Sequence, residues 1–72
     1  MNTISKREKQ ILDLIANEHT IKDIASLLYI SIETVKSHRK NLLFKLRAKN
    51  TAGMIRRAFE LEIIQLQFNL SN

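Results

Sequence analysis

Apolar residues recur every three or four positions in four successive stretches of this chain, and a short polar side chain able to cap a helix stands ahead of each. Ile11, Leu12, Leu14 and Ile15 make the first stripe, with the period of an amphipathic helix. Ser5 followed by Glu8 forms a capping box, the hydroxyl accepting from a first-turn amide while the carboxylate reaches back. A first helix is therefore expected over about Lys6 to Ala16, with Ile4 as a staple before the cap and Asn17, Glu18 and His19 ending it. Thr20 with Asp23 repeats the signal, and Ile21, Ile24, Ala25 and Leu28 line a short second helix. Tyr29 and Ile30 turn the chain. Ser31 then caps a third helix, about 32–46, whose stripe is Val35, Leu42 and Leu46, with His38 and Leu43 on its margins. Asn50 or Thr51 caps a fourth, in which Ile55, Ala58, Phe59 and Ile63 form one stripe while Met54, Leu61 and Ile64 begin another.

This pattern predicts an all-α, four-helix fold in a single domain over 1–72, with its core at about 4–64 and a tail at 65–72. In the tail, Ile64, Leu66, Phe68 and Leu70 alternate with polar residues at the two-residue period of a strand. A lone strand lacks a partner edge, so continued helix or fraying is the expectation there. The chain has no proline and its one glycine is Gly53, so side-chain caps must do the work of the usual helix breakers.

Composition narrows the function classes. With 72 residues, 44% of them hydrophobic, the chain can bury one small core, which argues against a catalytic cleft between domains. Without cysteine it has neither disulfides nor thiolate ligands. No apolar run approaches the roughly 18 residues that span a bilayer, and the start MNTISKREKQ has no apolar core behind its charges, so neither a membrane span nor a secretory leader is expected. A cytoplasmic protein without a membrane partner is expected.

The net charge of +5 becomes informative once it is placed. From Thr34 to Phe59 there is no acidic residue, while Lys36, Arg39, Lys40, Lys45, Arg47, Lys49, Arg56 and Arg57 all fall in that interval. The partner should be a polyanion. Helices 2 and 3 are joined by a very short turn, and helix 3 carries Glu33, Lys36, Ser37, Lys40 and Phe44 opposite its apolar stripe, the layout of a DNA-reading helix-turn-helix. Lys36 and Lys40 lie one turn apart with Ser37 between them, placed to address adjacent base pairs in a major groove; Glu33 can accept from cytosine. Thr34 can donate to a phosphate near the helix N-terminus, and Lys22, Lys45, Arg47 and Lys49 can flank the groove. Exposed lysines are ordinary, and taken singly each of these is a solvated side chain. Their combination with the short turn and the acid-free interval favours DNA. Phe44 has no role in this layout; contact with a further domain or a partner would account for it.

Other chemistry finds little support. His38 sits where a histidine packs at the margin of a buried stripe, and His19 is remote in sequence, so a metal site lacks ligands. Ser5, Ser31 and Thr20 are explained by capping, and Glu60 and Glu62, two apart on a helix, face different directions. Neither catalysis nor a cofactor is expected.

With these residues in view, the chain resembles the LuxR-type helix-turn-helix domain, also called GerE-like or FixJ-like, of bacterial transcription regulators. The resemblance runs from about Ile4 to Ile64. It is carried by SKRE at Ser5 to Glu8, LIA at Leu14 to Ala16, KDIA at Lys22 to Ala25, ISIETVKSH at Ile30 to His38 and NLLFKL at Asn41 to Leu46. It implies a four-helix bundle that binds double-stranded DNA on an inverted repeat, with helices 2 and 3 as the DNA-binding unit. It further implies base contacts at Glu33, Lys36, Ser37 and Lys40, phosphate contacts at Thr34, Lys22, His38 and Lys45, and a homodimer formed through helix 4. Met54, Leu61 and Ile64 of the second stripe of that helix, together with Ala58, are the expected interface, although a sensor domain is an alternative cover. RNA polymerase is a candidate partner. The family commonly has glycine near Glu18 and asparagine at Ile21, so here Asn17 is expected to take the left-handed conformation that ends helix 1; it also commonly has arginine at Thr51, so one loop contact of the family is not expected in this chain. Two other readings remain: a promoter-binding module like region 4 of a sigma factor, and a helical protein-protein adaptor without specific DNA binding.

Overall fold

A computed structural model of the chain describes residues 3–65 and places them in four helices: α1 Lys6–Ala16, α2 Ile21–Leu28, α3 Ile32–Lys45 and α4 Thr51–Glu60. All four expected helices are present, and no strand occurs among the described residues. Most of the alternating tail lies outside them.

The helix starts follow from local side-chain chemistry. The side-chain oxygens of Ser5, Thr20, Ser31 and Asn50 accept from the backbone amides of Glu8, Asp23, Thr34 and Gly53 at 3.1, 3.0, 3.0 and 2.9 Å. Each satisfies one of the amides that a helix start leaves without a partner. Glu8 and Asp23 complete their boxes by accepting from the Ser5 and Thr20 amides at 2.9 and 3.0 Å. Of the two candidates for α4, Asn50 is the cap.

Every helix ends in the same way. Glu18, Tyr29, Arg47 and Glu62 take left-handed backbone, with φ of 68°, 57°, 54° and 59°. The following amides, of His19, Ile30, Ala48 and Ile63, donate back to the carbonyls of Leu14, Ala25, Leu43 and Ala58 at 3.0, 3.1, 2.9 and 2.8 Å. These are Schellman closures. None uses glycine, so each side chain accepts a backbone cost of about 1 kcal/mol. Three closures carry an apolar residue, Ile30, Ala48 or Ile63, back onto the core. The left-handed residue after α1 is Glu18 and not Asn17, which has φ −92°. The Asn17 amide still donates to the Asp13 carbonyl at 3.0 Å, keeping it within the helical ladder.

Helix α4 is shorter than its apolar stripes suggest, and the expectation of fraying or continued helix in the tail falls almost wholly outside the described residues. The helix stops at Glu60, and the reversal at Glu62 brings Ile64 into the core at 4% exposure. The core joins Ile11 and Leu12 of α1, Ile24 and Ala25 of α2, Val35 and Leu42 of α3 with Leu46 just after it, and Met54 and Ala58 of α4. Helix α3 runs through the middle, packing against α1, α2 and α4. Its buried stripe is the one the sequence predicts.

Helix α4 requires a correction. Met54 and Ala58 are fully buried and Ile64 nearly so, so three of the four residues expected between two copies are core residues of a single copy. Only Leu61, 51% exposed, is open to solvent. The buried side of α4 cuts across the two expected stripes, taking Met54 from one and Ala58 from the other, because packing against α3 and the reversal at Glu62 decide which side faces inward.

Gly53 lies inside α4 without positive φ. A Cβ built there meets Asn50 Oδ1 at 3.5 Å and Ala48 Cβ at 3.6 Å, ordinary contact distances. Gly53→Ala should therefore stabilise the fold by about 0.5–1 kcal/mol through lost freedom of the unfolded chain. Thermal unfolding followed by circular dichroism should show the midpoint rise by roughly 4 °C; a fall would mean that the start of α4 tolerates no side chain.

Candidate nucleic-acid interface

Helix α3 is 14 residues long, about 21 Å at 1.5 Å per residue. Because Val35, Leu42 and Leu46 are buried beneath it, the opposite face is held outward. Glu33, Lys36, Ser37 and Lys40 are all exposed there. Lys36 reaches Glu33 only at 3.8 Å, and both side chains remain largely in solvent, so that contact is weak. Lys40 has no ion-pair partner among the described residues. The structure thus brings the four predicted base-facing residues together on one uncovered surface.

The predicted phosphate contacts divide. Lys22 lies exposed near the start of α2, and Arg47 and Lys49 lie exposed in the α3–α4 turn. A shallow groove there is lined by Arg47, Lys49, Arg56 and Arg57. Arg56 and Arg57 both address Glu60, at 3.2 and 3.4 Å. Thr34 is exposed, and its hydroxyl shares a 2.9 Å hydrogen bond with Ser31 Oγ. When Ser31 donates, the Thr34 proton is available to another acceptor. His38 is half-buried at the margin of the core stripe.

Lys45 has a different position from the one expected. Its ammonium donates to Glu8 Oε1 at 2.7 Å and to the Thr3 carbonyl at 2.9 Å. The side chains are 24% and 6% exposed, so this cation neutralises a buried carboxylate between the end of α3 and the start of α1. Burial pushes the Glu8 carboxyl up, but the hydrogen bond from Lys45, the Ser5 amide and the Lys45 charge outweigh it and leave it below the ordinary 4.5. A sequence signal existed: Lys45 is nine residues from Lys36, about 180° round the helix. Its partner, 37 residues away in sequence, carried none.

Two further ties escaped sequence reasoning. Arg39 Nε donates to Thr51 Oγ1 at 3.2 Å, linking α3 to the start of α4. Arg57 Nε donates to the Leu46 carbonyl at 3.3 Å, satisfying a group at the end of α3. Part of the basic interval therefore serves the fold. At α2, bonds from the Thr20 amide and hydroxyl hold the Asp23 carboxyl below its usual range, which keeps the capping box charged. No cluster of three or more His, Cys, Asp or Glu able to hold a metal occurs among the described residues. No helix there is long and apolar enough to cross a membrane.

Comparison with known proteins bears on this arrangement. The family model described as bacterial regulatory proteins, luxR family, matches residues 2–58. The oxygen regulatory protein NreC of Staphylococcus epidermidis is 36% identical over 62 residues, 86% of this chain and 28% of that protein. NreC of Staphylococcus aureus is 34% identical over 62 residues, 86% of this chain and 29% of its own. Among solved structures, the response regulator ChrA of a heme-sensing two-component system superposes with a TM-score of 0.85 at 30% identity, covering 89% of this chain and 32% of ChrA. The chain thus spans less than a third of the length of these relatives.

Proposed function

The chain belongs to the luxR family of bacterial regulatory proteins, and from that premise we propose that it binds duplex DNA sequence-specifically as the DNA-reading part of a cytoplasmic transcription regulator. The observation that carries the reading is the division of α3: one face is clamped on the core through Val35 and Leu42, while the other holds Lys36, Ser37 and Lys40 in solvent. In this reading α3 enters the major groove. Lys36 and Lys40 donate to guanine O6 and N7, Ser37 contacts a neighbouring base edge and Glu33 accepts from cytosine N4. Phosphates are held by Lys22, Thr34, Arg47 and Lys49, with His38 at the margin. Lys45 supports the helix from below.

The chain acts as a dimer on an inverted repeat, recruiting or blocking polymerase. Since Met54, Ala58 and Ile64 are buried, the stripe that α4 offers a second copy is Ala52, Ile55 and Phe59, at spacings of three and four. Phe59 is 48% exposed, and Leu61 lies nearby in sequence at 51%.

Selection from random duplexes at fixed salt tests the whole reading. The expected product is a two-fold symmetric site. Affinity for it should fall with salt at a log-log slope of roughly 4 to 6 per protomer, reflecting several displaced phosphate counterions. Recovery of no common sequence, with affinity vanishing near physiological salt, would instead point to a helical adaptor whose basic face only keeps it soluble.

A further inference from the structure

We infer that Phe44 is a base reader, its ring packing against the C5-methyl of a thymine beyond the bases addressed by Lys40. This rests on α3 entering the major groove and adds an apolar determinant to the polar ones. Phe44 is 75% exposed, whereas Val35 and Leu42 of the same helix are fully buried. It follows Lys40 by four residues, Ser37 by seven and Glu33 by eleven, spacings that return to one face of a helix. At 3.6 residues per turn, Phe44 lies about 80° round from Lys36, between Lys40 at about 40° and Ser37 at about 100°. The ring therefore stands inside the arc of base-facing side chains, on the side away from the core.

Nothing in the described chain covers it. The helix ends one residue later at Lys45, whose ammonium turns inward to Glu8, and the left-handed backbone at Arg47 carries Ala48 back onto the core. An aromatic ring in this place can offer no hydrogen bond. Against the edge of adenine, guanine or cytosine it would desolvate donors and acceptors without replacing their partners. The thymine methyl is the apolar group that a major groove presents. Phe44 should thus favour thymine over cytosine, and over uracil by the methyl alone.

The test uses the duplex selected above and a set in which each thymine in turn is replaced by deoxyuridine, with binding measured at equilibrium. The wild-type chain should show one thymine per half-site whose conversion weakens binding about fourfold, the worth of one buried methyl. Phe44→Ala should lose about tenfold on the parent duplex, as for one lost base contact, and become indifferent to that conversion. Phe44→Leu should retain part of both effects. The ring is exposed, so the Phe44→Ala chain should keep the wild-type unfolding midpoint, which separates a lost contact from a lost fold. Parent-duplex affinity unchanged in Phe44→Ala, or a uridine penalty that survives it, overturns the inference while leaving the DNA reading intact. A wild-type chain that selects no duplex overturns that reading and this inference with it.

Discussion

Replacing Lys45 with methionine is expected to remove about 3 kcal/mol of folding stability, the low end of the cost of stranding one member of a buried ion pair. Glu8 is the reason. Its side chain is 6% exposed and keeps the bond from the Ser5 amide, but loses the ammonium 2.7 Å away. A domain of this size has a total stability of roughly 5 kcal/mol, so the thermal midpoint should drop by roughly 15 °C. Glu8→Gln in the Lys45→Met background should recover most of the loss, because the amide can still cap α1 while the buried charge is gone.

Acid supplies an independent check. The folded Glu8 carboxyl titrates below its ordinary 4.5, so its contribution is fully present above the unfolded value and is lost as pH falls through the folded one. The gap between wild type and Lys45→Met should accordingly narrow on acidification through the carboxylate range. A gap below about 0.5 kcal/mol at neutral pH, the scale of a surface pair, would mean that Glu8 is solvated.

The second large effect concerns binding. Lys36→Ala and Lys40→Ala should each cost about 1 to 3 kcal/mol on the selected site and relax base preference at one position per half-site. Lys22→Ala should instead weaken all sequences alike and lower the salt slope by about one. The contrast follows from placement: Lys36 and Lys40 project from the face of α3 opposite Val35 and Leu42, whereas Lys22 stands near the start of the supporting helix α2. Fold stability should barely move, since Lys36 makes only a 3.8 Å exposed contact and Lys40 no ion pair among the described residues. Competition binding against single-position variants of the duplex distinguishes the two kinds of loss. Equal, sequence-independent losses from all three substitutions would exclude direct base readout by α3.

The starts of all four helices were legible in the chain because capping is a conversation over three residues: Ser5 with Glu8, Thr20 with Asp23, Ser31 with Thr34, Asn50 with Gly53. The buried stripe of α3 was legible for a similar reason, since a 3.6-residue period places Val35, Leu42 and Leu46 together whatever surrounds them. From that stripe the outward positions of Lys36, Ser37 and Lys40 followed. The family motifs at Ile30 to His38 and Asn41 to Leu46 pointed the same way.

Other features needed the assembled molecule. The helical period already turns Lys45 away from Lys36, but its partner is set only when α1 is docked and Glu8, 37 residues earlier, claims its ammonium. Helix α4 carries apolar residues on more than one side, and contact with α3, together with the reversal at Glu62, buried Met54, Ala58 and Ile64 while leaving Phe59 and Leu61 open. Side-chain periodicity and capping act within about one turn of helix, so the sequence determined where helices begin and which way α3 faces. Which charges remain free and which apolar stripe is covered depends on groups brought together across the fold, and tertiary packing alone decided those.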